Sequence, residues 1–103
     1  MAYTIRRMID DPIVFVSLEP PVSGSIMDEI NVSVAGMFRD EPDPIRIIDV
    51  RKLDEDYVLP VAPAGVIYIV VGFDEMQGNG APVVGSFDEA ISLAHNELHA
   101  RAA

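Results

Sequence analysis

A hydrophobic run at residues 66–71 constrains the fold of this chain more than any other feature of its sequence. The run reads VIYIVV, so β-branched side chains dominate it and neither face of an extended strand would be charged. Such a strand is typical of the centre of a sheet, because each of its faces needs apolar neighbours. The run therefore predicts a sheet protein in which this strand must be covered on both sides.

Two strands joined by a tight turn are predicted at the start of the chain. Residues 3–9 alternate loosely between polar and apolar side chains, and residues 13–18 form a more hydrophobic segment. Asp10, Asp11 and Pro12 between them are typical turn residues. Because a short connection joins neighbouring strands in opposite directions, we expect an antiparallel hairpin.

A second β-branched run, at residues 45–50, predicts a buried strand in the middle of the chain. Asp49 lies near the end of this strand, where open α/β sheets present functional groups. Arg46 and Arg51 are its basic neighbours, and we expect a structural ion pair in this cluster. Residues 82–85 predict a last, short strand.

Two helices are predicted from hydrophobic residues that recur at helical spacing. The first begins near Ser25 and ends near Arg39, before the prolines that follow it. The second follows a capping box, with Ser86 at the cap and Glu89 three residues later, and it continues nearly to the C-terminus.

The predicted order is β-β-α-β-β-β-α, which indicates a small mixed four- to five-stranded sheet with two helices on one face. This is an α/β fold, with α+β as the alternative class, and residues 1–103 are expected to form a single domain. Parallel strands need a connection of roughly a dozen residues or more, so residues 51–65 suffice for a crossover. Residues 73–81 are fewer, and the pairing direction of the last strands stays open.

The charge and the cysteine content exclude several classes of function. Seven basic against seventeen acidic residues give a net charge of −10, which disfavours binding to nucleic acid or to an anionic membrane. The absence of cysteine excludes disulfides and thiolate catalysis, and it fits a cytoplasmic location. Residues 1–8 do not have the apolar region of a signal peptide, and we expect no membrane contact.

One pair of histidines has the spacing of a metal site. His95 and His99 are four residues apart, so they share one face of the second helix and could bind zinc or nickel together. A third ligand would have to come from elsewhere in the chain. The alternative is an exposed helix end, where the helix dipole favours histidine. We expect no cofactor, and no arrangement of Ser, His and acid predicts a catalytic site.

Three segments of the chain carry a resemblance to a known family. The first is PIRIIDVR at residues 44–51, a strand that ends in Asp49 after the first helix. The second is the hairpin around residues 10–12, and the third is VVGSFDEAI at residues 83–91, which looks like a last strand followed by a terminal helix. In this order they resemble the small STAS-like domains, relatives of anti-sigma-factor antagonists. The resemblance implies a regulatory domain that works through protein contacts.

The chain departs from that family at the position of the family's regulatory switch. STAS-like antagonists place a phosphorylatable Ser or Thr just after the central strand, at the start of a helix, whereas residues 51–85 contain neither. Two of the family's helices are replaced by a proline-rich segment at residues 53–65 and by a loop around residues 78–80. The resemblance therefore implies a trimmed domain without the phosphorylation switch.

Self-association through an uncovered sheet face is the leading functional hypothesis. With only two helices, one face of the strand at residues 66–71 would be an exposed apolar patch, which a second copy of the chain could cover. We therefore expect a non-enzymatic protein-interaction or regulatory module that forms a homodimer. The interface residues expected in the proline-broken segment are Tyr57, Val58, Leu59 and Val61.

Two alternative functions follow from other features of the sequence. A small ligand could bind at the strand tips, where open α/β sheets hold their ligands. The ligand-binding residues expected there are Asp49, Arg51, Phe73 and Asp74. The acidic charge would instead suit a decoy that binds a basic partner, in which case binding would weaken as salt increases.

Overall fold

The computed structural model describes residues 3–8, 10–22, 24–40, 44–54, 57–72 and 80–102, with the backbone alone for the last of them. Within these ranges the secondary-structure elements follow the predicted order. They are β1 (Tyr3–Arg7), β2 (Ile13–Leu18), α1 (Ile26–Met37), β3 (Ile45–Asp49), β4 (Tyr68–Val71), β5 (Val83–Val84) and α2 (Phe87–Ala102).

The strands form one five-stranded sheet in the order β1-β2-β3-β4-β5. β1 pairs antiparallel with β2, as the turn residues predict, and every later pair is parallel. Ile47 in the central strand β3 stands between Phe15 of β2 and Ile69 of β4. The prediction of a mixed α/β sheet is confirmed, and the pairing direction of β4 and β5, which the sequence left open, is parallel.

Helix α1 covers one face of the sheet, which we call the first face. Alternate residues of β2, β3 and β4 point to it, because successive side chains of a strand face opposite ways. The crossover between β3 and β4 packs on the same face through Leu53 and Leu59. The core of the first face is formed by Val14, Val16, Leu18, Ile48, Val50, Tyr68 and Val70 of the sheet and by Ile26, Met27, Ile30, Val34 and Phe38 of the helical segment.

Helix α2 covers the opposite face, the second face. Its Ala90 and Ala94 are fully buried, and small side chains at these positions let the helix lie close to the strands. The strand residues beneath it are Ile13, Ile45, Ile47, Ile69 and Val71.

The expectation that both helices share one face of the sheet is therefore wrong. The chain crosses from β2 to β3 and from β3 to β4 over the first face. α2 follows the last strand, so no further strand has to be reached and the helix can return over the second face. Burying the part of that face beneath α2 is favourable, because the strand residues there are apolar.

The central strands are consequently covered on both sides within a single chain. The four residues of β4 are between 0% and 3% exposed, and Ile47 and Ile48 of β3 are fully buried. The expected bare apolar face of β4 does not exist, so a second copy is not needed to cover it. Within the part of the chain that the structure describes, a membrane-crossing helix is absent, since none combines the length and apolar character that a bilayer requires.

Candidate functional site

An open groove of about 530 Å³ lies on the second face, beside α2. α2 packs on β3, β4 and β5, and the neighbouring part of that face, on β1 and β2, forms the floor of the groove. Its floor and wall are lined by Thr4, Arg6, Arg7, Phe15, Ser17, Phe87 and Ile91. Asp49 and Lys52 line the end of the groove where β3 ends.

The register of the hairpin brings the polar groups of the floor together. Thr4 lies opposite Ser17, and Arg6 lies opposite Phe15. Residues directly opposite each other in an antiparallel pair, and residues two apart along a strand, share one face. Ser17 is also the register partner of Asp49 across the parallel pair of β2 and β3. A hydroxyl and a carboxylate thus meet at the carboxyl ends of two neighbouring parallel strands.

Asp49 forms a bidentate ion pair with Arg51. Its Oδ1 accepts hydrogen bonds from the backbone N–H and from Nε of Arg51, and its Oδ2 accepts one from Nη2, each at 3.0 Å. Asp49 is only 7% exposed, whereas the Arg51 side chain is 43% exposed. The hydrogen bonds that Arg51 donates to Asp49 raise the pKa of Arg51 above its usual value, with a smaller contribution from the charge of Asp49. The expected ion pair at the tip of β3 is confirmed.

Arg46 does not join this cluster. It lies three residues before Asp49, so it points to the first face, where it is 2% exposed. Its Nη1 donates a hydrogen bond of 3.0 Å to the carbonyl oxygen of Pro44. Arg51 is therefore the arginine that connects Asp49 to the groove.

Two aromatic rings and Arg51 form the wall of the groove at this end. The rings of Phe15 and Phe87 meet edge to face, with centroids 5.7 Å apart and planes at 71°. The guanidinium of Arg51 lies over the Phe87 ring, 5.0 Å from its centroid, in a cation–π contact. One wall residue, Phe87, thus touches both the floor of the groove and the Asp49–Arg51 pair.

The start of α2 is held in place by the predicted capping box. The backbone N–H of Glu89 donates a hydrogen bond of 3.3 Å to Ser86 Oγ, and Ser86 Oγ donates one of 3.4 Å to Glu89 Oε1. Phe87 is the first helical residue after this cap. The cap therefore determines where the aromatic wall residue stands.

Lys52 and Glu19 form a second ion pair near the groove. Lys52 Nζ lies 2.7 Å from Glu19 Oε1, and both side chains are largely exposed. This hydrogen bond raises the pKa of Lys52 and lowers the pKa of Glu19. Arg6, in contrast, is exposed and makes no hydrogen bond or ion pair with the residues that the structure describes.

Of the four ligand-binding residues expected from the sequence, two are described. Asp49 lines the groove, and Arg51 borders it through its contacts with Asp49 and Phe87. Phe73 and Asp74 lie outside the described residues. A ligand-binding role for these residues stays a prediction.

The four expected interface residues do not form one surface. Leu59 is 2% exposed and belongs to the core of the first face, and Tyr57 is half-buried against that core. Val58 and Val61 are 49% and 68% exposed. Only these two valines could contribute a large apolar contact without rearrangement of the core.

His95 and His99 are both exposed on α2. His95 Nε2 lies 3.3 Å from Asp11 Oδ2 in the hairpin turn, which connects the helix to the start of β2. Among the residues that the structure describes, no group of three His, Cys, Asp or Glu side chains could hold a metal ion.

Most residues of the groove were not among the ligand-binding residues expected from the sequence. Thr4, Arg6 and Ser17 lie within the two strands that the sequence predicts, and Phe87 and Ile91 lie within the predicted second helix. A signal was nevertheless present, since Thr4 and Arg6 are two residues apart and therefore share a face of β1.

The fold and the groove define a small α/β protein with a mixed five-stranded sheet, one helix on each face, and an open polar–apolar groove beside the second helix. Comparisons with protein-family models, with curated proteins and with solved structures find no match for this chain. The resemblance to STAS-like domains therefore stays a prediction.

Proposed function

We propose that this protein is a non-enzymatic binding module and that the groove beside α2 holds a small, partly apolar ligand. The observation that carries this proposal is the composition of the groove, in which an aromatic wall faces the hydroxyls and charges of the hairpin. Its volume of about 530 Å³ is in the range of small-molecule sites. It also reaches the carboxyl ends of β2 and β3, the edge at which open α/β sheets bind ligands.

The state of Asp49 supports binding over catalysis. A general base needs a lone pair that faces the substrate, whereas most of the acceptor positions of the Asp49 carboxylate already accept hydrogen bonds from Arg51. The carboxylate is therefore suited to holding Arg51 over Phe87 rather than to moving a proton.

A fragment screen by thermal shift, followed by NMR shift mapping, tests this proposal. A ligand that binds the native state raises the melting temperature. We expect the fragments that do so to perturb the amides of Thr4, Ser17 and Ile91, and to lose affinity in Phe87→Ala. Hits that map instead to the first face, or an absence of any hit at millimolar concentration, would contradict the proposal.

Val58 and Val61 favour a second candidate, protein interaction through the crossover between β3 and β4. Their side chains are 49% and 68% exposed, and they lie three residues apart on the same crossover, so together they could contribute to an apolar contact. A contact there would suit a self-associating or regulatory module of STAS-like type.

The acidic charge and the lack of cysteine support a cytoplasmic location without nucleic-acid binding.

Light scattering of Val58→Ser/Val61→Ser tests this second candidate. Deleting residues 55–63 would be a poor test, because it removes the core residue Leu59. We expect a dimer mass for the wild type and a monomer mass for the double variant, whereas Val32→Ser, at an exposed position of α1, should stay dimeric. A wild-type monomer at micromolar concentration counts against self-association.

The acidic-decoy hypothesis gains no specific support from the described contacts and stays a prediction.

A further inference from the structure

We propose that the groove selects a small amphipathic monocarboxylate, with Arg6 binding the carboxylate and the aromatic wall holding the apolar body. This inference rests on the proposed ligand-binding function and adds the chemical class of the ligand. It follows from the charges of the groove, the position of Arg6 and the shape of the wall.

The cations around the groove differ in whether they already have an anionic partner. Arg51 is paired with Asp49 and Lys52 with Glu19, so each pair is close to neutral. Arg7 also lines the groove, but its guanidinium is engaged elsewhere, since Nη1 donates to the Met37 carbonyl oxygen and the group stacks on Phe38. Among the groove residues that the structure describes, this leaves Arg6 as the cation whose side chain is not already engaged and which a ligand can therefore bind.

One available guanidinium favours a ligand with one negative charge. A planar carboxylate matches the fork of an arginine and can accept two parallel hydrogen bonds from it. A phosphate monoester would bring close to two negative charges into a chain whose net charge is −10, with one available cation to balance them. The charge balance therefore points to a carboxylate.

The neighbours of Arg6 provide further donors and an apolar surface. Thr4 lies two residues before it on the same strand face, about 7 Å away along the strand, and Ser17 is opposite Thr4. Their hydroxyls can hydrogen-bond a carboxylate or another polar group of the ligand. Phe15, opposite Arg6, meets Phe87 edge to face, and Ile91 is one helical turn further along α2. These groups would provide the apolar contacts for a planar aromatic body.

A matched pair of probes separates the carboxylate from the apolar body. 1-Naphthaleneacetate and 1-naphthaleneacetamide have nearly the same shape, and only the first carries a charge. We expect calorimetry to show that the acid binds the wild type about tenfold or more tightly than the amide, as loss of a charged hydrogen bond implies. In Arg6→Gln this preference should disappear, and Arg6→Lys should retain part of it.

Arg39→Gln is the matched control, because it removes one exposed positive charge away from the groove, just after α1. It should keep the preference for the acid. If Arg39→Gln and Arg6→Gln weakened binding of the acid equally, the inference would be overturned, because the loss would then reflect the overall charge of the protein.

The remaining outcomes distinguish the inference from the function on which it rests. Equal binding of acid and amide to the wild type overturns the carboxylate assignment and leaves ligand binding in the groove standing. Tighter binding of 1-naphthyl phosphate than of the acid overturns the preference for a single charge. If neither naphthalene probe binds at millimolar concentration while unrelated fragments map to the groove, the inference fails alone; if nothing maps there, both proposals fail.

Discussion

Asp49 holds Arg51 through both of its carboxylate oxygens, although the two residues are separated by only one position in the chain. The same carboxylate accepts the backbone N–H of Arg51, so it also shapes the turn that ends β3. Because Arg51 in turn stacks on Phe87, one buried acid connects the tip of the central strand to the first residue of α2.

Replacing Asp49 should separate the two roles of its side chain. Asp49→Asn keeps an oxygen for the backbone N–H of Arg51 but loses the charged pair, and we expect a loss of about 1 kcal/mol in the free energy of unfolding. Asp49→Ala removes both functions and should cost about 2–3 kcal/mol. Urea unfolding measures both. Asp54→Asn, at an exposed position after the strand, is the control and should change stability by less than about 0.5 kcal/mol. Equal costs for the two Asp49 variants would contradict a role in the turn.

The placement of helices on opposite faces predicts that neighbouring residues of β3 are equally sensitive to truncation. Ile47 points to the second face and Ile48 to the first, and both are fully buried. Ile47→Ala and Ile48→Ala should each lower the free energy of unfolding by about 2–5 kcal/mol. The control Val32→Ala, at a site that is 74% exposed, should have little effect. A cost below about 1 kcal/mol for either isoleucine would mean that its face is open.

The sequence predicted the order of elements and the mixed sheet because these depend on local patterns. Runs of β-branched residues marked β3 and β4, turn residues marked the hairpin, and Ser86 with Glu89 marked the start of α2. The side of the sheet on which α2 lies could not be predicted in this way. It depends on which face the crossovers have already covered, and that is a property of the whole sheet.

The groove was hard to predict for a related reason. Arg6 and Ile91 are distant in sequence, and they line the same groove because α2 returns over the second face and leaves that face of β1 uncovered. Asp49 was predicted correctly as a residue at a strand tip, because its position depends only on the end of β3. The alternation of residues in β1 shows which of its faces is polar, but the local sequence does not indicate that a helix lies beside that face.

Asn31 and Tyr68 form a polar contact between α1 and β4, and we expect substitutions of the two residues to have coupled effects on the free energy of unfolding. Asn31 Nδ2 donates a hydrogen bond of 2.8 Å to the Tyr68 hydroxyl, and Tyr68 is 3% exposed. Asn31 Oδ1 is buried without a hydrogen-bond partner among the described residues. Tyr68→Phe should therefore cost about 1–3 kcal/mol, because it leaves the Asn31 amide without its acceptor as well.

The double variant Asn31→Leu/Tyr68→Phe should recover most of that loss. Replacing both partners by apolar groups removes the unsatisfied amide, and such exchanges can be nearly neutral. A double-mutant cycle measured by urea unfolding gives the coupling energy directly. Strictly additive single and double variants would show that the two side chains do not interact in solution.

The buried position of Tyr57 leads us to expect that the free energy of unfolding falls at alkaline pH. Burial against the first-face core raises the pKa of Tyr57, and its electrostatic interaction with Tyr68 contributes in the same direction. The unfolded chain therefore ionises this phenol first, from a pH of about 10. The contribution of the neutral Tyr57 phenol to the free energy of unfolding is fully present below that pH and is lost as the pH rises through the folded-state pKa.

Urea unfolding between about pH 8 and pH 11 should show a smaller loss of stability for Tyr57→Phe than for the wild type. Tyr3→Phe, on the edge strand β1, corrects for the loss of a phenol as such. Parallel pH profiles for Tyr57→Phe and the wild type would show that the hydroxyl of Tyr57 is as well solvated in the folded protein as in the unfolded chain.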